Sequence, residues 1–160
     1  MALVPATFVV PESLETPNFG LRKLTFRDAD LDYKAVMANI DLIKRTRGGD
    51  WPTAGLTFED DQIDLAWHQR EFERRTSFAY AVMSLDEKEC LGCVYLDPPG
   101  QRGTAAQNDD VDVSFWVVQS AYDAGFYASL FGTLRLWLRS WPFHRVNYSN
   151  AEPPMSRDGS

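Results

Sequence analysis

The stretch DVDVSFWVVQSAYDAGFYASLFGTLRLWLRSWPFHRVNYSN, residues 110–150, decides the fold of this chain. Val111, Val113, Phe115 and Val117 alternate with Asp110, Asp112, Ser114 and Trp116. That period of two marks a strand with two unlike faces. A tight connection, Gln119 to Gly125, follows, and then Phe126, Leu130, Leu134, Trp137 and Trp141 recur at helical spacing. They predict a helix that buries one broad apolar stripe. Pro142 cannot continue it, and His144 to Tyr148 resumes an extended pattern. A strand feeding straight into a helix start gathers unpaired N–H groups and the positive end of a dipole at one point. Such a point suits an anion, often a phosphate.

The rest of the chain frames this unit. At 160 residues, 44% hydrophobic and 13% aromatic, it has the size and composition of one globular domain with a real core. A net charge of −7 argues against nucleic acid and against an anionic membrane surface as partners. No apolar run approaches the ~20 residues needed to span a bilayer. Met1 to Val10 is mildly apolar but lacks a basic start, so no signal peptide is expected and the expected location is the cytoplasm.

Residues 1–19 carry Pro5, Pro11 and Pro17 and read as an irregular arm. Gly20 to Phe26 reads as a strand, Ala29 to Ala38 as a helix continuing in Ile40 to Arg45, and Arg47 to Pro52 as a break. Thr57 caps a further helix with an acidic first turn and Arg74-Arg75 at its end, and Ile63, Leu65, Ala66, Trp67 and Phe72 supply its buried side. Phe78 to Leu85 and Glu89 to Leu96 form an antiparallel pair. The loop Asp97 to Asp109 is longer than a hairpin needs, hence mobile or functional. The domain occupies 20–150, and the polar tail 151–160 is expected to be disordered. The order β-α-α-β-β-β-α-β predicts an α/β fold with helices flanking a mixed, mostly antiparallel sheet.

Cys90-Leu91-Gly92-Cys93 invites a redox or zinc reading. The pair lies within a strand, where positions three apart point to opposite faces. A thioredoxin-type pair opens a helix instead, and zinc wants four ligands where no second Cys/His pair exists. No metal is expected, and the cysteines read as small residues packed in a sheet.

Several phrases, in order along residues 12–150, resemble the GNAT superfamily of acyl-CoA-dependent N-acyltransferases, closest to the branch of ribosomal-protein alanine acetyltransferases. They are Leu14-Glu15-Thr16 with Leu21 to Asp30, Leu91 to Leu96, Asp112 to Val117, and His144-Arg145-Val146. The resemblance implies acetyl-CoA as co-substrate, lying in a gap where the strand Asp112–Val117 and the strand after His144 splay apart. Val117 and Val118 would supply backbone contacts to the pantetheine. The pyrophosphate would lie on Tyr122, Ala124, Gly125, Phe126 and Tyr127, in the register of the family's Q/R-x-x-G-x-G/A pattern. Only Gly125 matches that pattern; Asp123 stands where the family commonly has glycine, and Tyr127 replaces a small residue. A carboxylate at Asp123 repels a pyrophosphate or caps the helix itself. The family usually continues past the fifth strand with a helix and two strands, the helix often carrying a tyrosine acid, and no residue here inherits that role.

Acyl transfer to an amine needs a base, donors for the oxyanion and an acid for the leaving thiolate. Asp112 aligns with a family glutamate and is the candidate base; the plain alternative is a solvated carboxylate at the strand edge. Ser114 and Tyr148 can donate protons. Trp51, Phe58 and Trp116 are candidates for the acceptor wall, although such aromatics also serve as core. His68 reads as a surface or packing residue, and His144 as the end of the helix–strand turn. Two functions follow: an N-acetyltransferase acting on a small-molecule or peptide amine, cationic given the acidic surface, or a GNAT-like ligand-binding or interaction module that has lost CoA. A sheet ending at the strand after His144 also leaves an open edge, so a homodimer is expected.

Overall fold

The computed structural model describes residues 1–102 and 108–154. Six strands form one sheet in sequential order: β1 Ser13–Glu15, β2 Gly20–Lys23, β3 Phe78–Met83, β4 Cys90–Asp97, β5 Val111–Val117 and β6 Val146–Tyr148. Neighbours are antiparallel except β5 and β6, which run parallel with Val111 opposite Val146 and Val113 opposite Tyr148. A parallel pair needs a crossover. It is made by the short α4, Gln119–Asp123, and by α5, Phe126–Leu138. The remaining helices, α1 Ala29–Met37, α2 Ile40–Arg47 and α3 Phe58–Glu73, lie between β2 and β3 in the chain.

Alternation along the strands separates two cores. Phe78, Tyr80, Val94, Leu96, Val111, Val113 and Phe115 face α5, which buries Leu130, Leu134 and Leu138 against them. Each such leucine contributes on the order of 1.5–3 kcal/mol. Ala79, Ala81, Cys93, Tyr95 and Trp116 point the other way, into Val36, Ile43 and Leu65 of α1 to α3. Thr57 does cap α3, its hydroxyl accepting from Asp60 N at 3.0 Å while Asp60 reaches back to Thr57 N.

Four local expectations need correction. The N-terminal arm contains β1, which pairs with β2 across the turn at Pro17. On α3, Ile63, Ala66 and Trp67 are exposed; the buried positions are Asp61, Leu65 and Phe72, a different stripe of the same helix. Trp141 is buried but lies past the end of α5, stacked on Phe143. The cysteines share one face. A bulge in β4 sets Met83 opposite Cys90 but Val82 opposite Gly92, so Leu91 is the extra residue. Leu91 turns toward the α5 core, and Cys90 and Cys93 both enter the other one. Of the tail, Ala151 and Glu152 are bonded to α2, and residues 155–160 lie outside those described, as does 103–107 of the long loop. Among the described residues no helix is long and apolar enough to cross a membrane.

Candidate active site

The β4–β5 register places Asp97 opposite Asp112 and Tyr95 opposite Ser114 on the face turned to α2 and α3. Arg47, the last residue of α2, reaches across them. Its Nε donates to Ser114 Oγ at 3.0 Å, and its guanidinium lies 4.2 Å from the Tyr95 ring centroid. Arg102 donates to the Arg47 and Gly48 carbonyls at 2.8 and 3.0 Å, closing the end of α2. His68 of α3 packs its ring against Tyr95 and lies 3.6 Å from Asp64 and 3.8 Å from Glu71. Arg47, Trp51, Asp64, His68 and Tyr95 line a cavity of about 200 Å³.

The electrostatics of this chamber are unusual. Burial raises the Asp97 pKa, and Glu71 and Asp112 add to the rise against Arg47 and His68. Burial works against a charged His68, but the hydrogen bond and charge of Asp64, with Glu71 and Asp97, outweigh it and raise its pKa. Asp112 is fully buried, so it is not a solvated edge carboxylate. Its Oδ1 accepts from Asn147 Nδ2 at 2.6 Å, and its Oδ2 has no hydrogen-bond partner among the described residues.

The structure brings together Asp112, Ser114 and Trp51 with Arg47, His68 and Asp97. It separates the others. Tyr148 lies in the α5 core, edge-on to Phe131 at 5.0 Å, with burial pushing its pKa up to about 12. Trp116 is fully buried and donates to the Tyr95 hydroxyl at 2.9 Å, holding that ring rather than meeting solvent. Phe58 packs against Tyr33, and it does not line the chamber.

At the end of β5 the space between the strands is filled by the protein itself. Ser149 N continues the pairing to Val113 O at 2.9 Å. The Asn150 side chain then acts as the next peptide: its Oδ1 accepts from Phe115 N at 3.0 Å, and its Nδ2 donates to Phe115 O at 2.9 Å. Nδ2 also donates to the Tyr127 hydroxyl at 2.7 Å, and that hydroxyl donates to Glu152 O at 2.7 Å. Tyr127 fills this gap, its ring tilted against Phe115 and Tyr122, and the Tyr122 hydroxyl donates to Glu152 Oε2 at 2.6 Å. The Val118 amide is already bonded to Leu91 O, and Val117 is buried.

Gly125, at φ 86°, caps α5 with no side-chain bond to its first amides. Ala124 N turns back to Ser120 O, and Phe126 packs edge-on to Phe19. Asp123 does not cap α5; its Oδ1 accepts from Gln119 Nε2 at 2.9 Å.

Sequence reading missed Arg47, Asp97 and Asn150 and set His68 aside. Arg47 reads as the start of the break that runs to Pro52. Asp97 reads as a loop residue. Nothing in Tyr148-Ser149-Asn150 signals that the asparagine extends the strand.

No protein-family model matches the chain, and no curated protein matches it. Solved structures do. The ribosomal-protein-S5-alanine acetyltransferase from Vibrio fischeri is similar at TM-score 0.61 and 15% identity, over 79% of this chain and 66% of that one. RimL, a ribosomal L7/L12 alpha-N-protein acetyltransferase, is similar at TM-score 0.60 and 16% identity, over 86% and 70%. The Microcin C7 self immunity acetyltransferase MccE, solved with acetyl-CoA and AMP, is similar at TM-score 0.60 and 11% identity, over 81% and 67%. The chain thus spans about two thirds of the length of such neighbours, and the likeness extends to the fold.

Proposed function

On a GNAT acetyltransferase fold, we propose that this protein is an acyl-CoA-dependent N-acyltransferase, moving an acetyl group from acetyl-CoA to an amine by direct attack in a ternary complex. The observation that supports this is the carboxylate pair Asp97 and Asp112, opposite each other on β4 and β5 beside the chamber of Arg47, Asp64 and His68. An incoming ammonium meets Asp64 there, while Arg47 already lies over the faces of Trp51 and Tyr95. Asp97, with its pKa raised by burial, is a better proton acceptor than an ordinary carboxylate, and Asp112 stands opposite it on β5. A net charge of −7 suits a cationic acceptor such as a polyamine, an aminoglycoside-like molecule or a basic N-terminus. Asp112→Asn is expected to lower turnover while leaving CoA binding intact, because it removes a proton acceptor and no cofactor contact.

Asn150 favours a second reading, a binding module without CoA. Pantetheine laid along β5 must displace the Asn150 side chain from three hydrogen bonds. At about 1 kcal/mol net for each, that costs roughly 3 kcal/mol, or about 150-fold in apparent affinity. The two readings part at CoA itself. Acetyl-CoA at millimolar concentration should raise the melting temperature if the protein is a transferase. No shift with either the native chain or Asn150→Ala would leave the binding module.

A further inference from the structure

Outside the chamber the structure buries a second group of acids that acyl transfer does not use. The bulge at Leu91 turns Cys90 and Cys93 to one face of β4, where they meet Asp32 of α1. Their three potential ligand atoms lie within 4.8 Å of one another, and all three residues are buried. The Cys93 thiol donates to Asp32 Oδ1 at 3.3 Å. Asp61, in the first turn of α3, is fully buried, and neither of its oxygens has a donor among the described residues. What it faces is the Asp32 carboxyl. The groups that act most on Asp32 are Asp61, Cys90 and Cys93. Buried charges are ordinarily paired or coordinate a metal. A cavity of about 190 Å³, lined by Cys90, Lys34 and Ser120, gives a route in from solvent.

We propose that Asp32, Cys90 and Cys93 form a site for a thiophilic divalent cation, Zn²⁺ above all, with Asp61 holding Asp32 from behind. Two sulfurs and a carboxylate oxygen suit zinc, whereas calcium and magnesium take oxygen donors. The fourth position belongs to water from the cavity that reaches Cys90. Binding releases the two thiol protons to solvent and forms two metal–sulfur bonds and one metal–oxygen bond, with no electron transferred. As the metal takes one oxygen of Asp32, the proton Asp32 carries passes to the facing Asp61, which then donates to the other oxygen of Asp32. Asp61 is therefore a positioning residue. The ion ties α1 to β4, and through Asp61 it also holds α3.

The test uses the whole chain, stripped with a chelator under reducing conditions and titrated with Co²⁺ and then Zn²⁺. The expected result is one equivalent of Co²⁺ with a sulfur-to-cobalt band in the near ultraviolet. Zn²⁺ should abolish that band and raise the melting temperature, and affinity should climb with pH as thiol protons compete less. Cys90→Ser should cut the band and weaken binding by more than about tenfold. Asp61→Asn should keep the band and weaken binding about 10–100-fold. Should a variant fail to fold, the native chain decides alone. A folded native chain with no sulfur-to-cobalt band and no Zn²⁺-dependent melting shift overturns the site. A band of undiminished affinity in Cys90→Ser overturns it as well.

Discussion

Replacing Asn150 by alanine removes the amide that extends the sheet beyond β6. Three hydrogen bonds go, to Phe115 N, Phe115 O and the Tyr127 hydroxyl. Phe115 is fully buried, so its N–H and C=O are left without partners in a dry place. An orphaned buried donor or acceptor costs about 1–3 kcal/mol, against about 1 kcal/mol for a bond that water can replace. Some water enters the gap the amide vacates, and the loss settles near 3 kcal/mol. For a chain of this size that lowers the melting temperature by roughly 6–12 °C. Asn150→Asp should rescue little, because it keeps the acceptor for Phe115 N but sets a carboxylate against Phe115 O. Urea unfolding of the three proteins, with thermal melts alongside, measures the effect. A loss in Asn150→Ala below about 0.5 kcal/mol, or an aspartate variant as stable as the native chain, would refute the role given to the amide.

Three further outcomes are expected. His68 has its pKa raised in the fold above the ~6.5 of an unfolded histidine. Its contribution is thus complete below about pH 6.5 and lost as pH rises through the folded value. His68→Gln should destabilise more at about pH 5.5 than at about pH 9, as read from melts at each pH. Gly92→Ala drives a Cβ into Trp116 O, a backbone atom that cannot yield without breaking the β4–β5 register. It should cost more than about 3 kcal/mol or abolish folding, as circular dichroism and urea melts would reveal. Because β6 is an edge strand, sedimentation at tens of micromolar is expected to find a dimer, and a clean monomer would count against that.

The fold was legible because its signals are periodic. Val111 to Val117 and Leu130 to Leu138 each repeat with the spacing of their element, and the Gly125 break stands between them. Pairing on either side of that break followed from the resemblance and from the need for a crossover. The site was less legible. Asp112 and Ser114 were visible as the polar side of a strand, but whether that side met water depended on Arg47 arriving from another element. Cys90 and Cys93 were misassigned for a cleaner reason. Strict alternation puts them on opposite faces, and a single inserted residue reverses that without any mark in the sequence. The α3 stripe failed similarly: Trp67 and Ile63 are apolar enough to be buried, and the helix instead turns Asp61 inward. Buried carboxylates run against every hydropathy rule, so only coordinates reveal them.

The bonds from Ala151 N to Arg47 O and from Glu152 N to Thr46 O bear on how the chain is made. They complete the last turn of α2 with residues synthesised long afterwards; the ion pair of Arg45 with Glu152 joins positions 107 residues apart. Until that late segment leaves the ribosome, α2 ends in carbonyls that neighbouring sequence does not satisfy. β5 likewise waits for β6 and for Asn150. Contacts of such long range are slow to close, because loop entropy is spent before they return anything. A nascent chain stalled short of residue 150 should therefore hold β2 to β4 together while its fifth strand stands as an open template for other chains. In this protein, vulnerability to aggregation during synthesis lasts until Asn150 to Glu152 are in place.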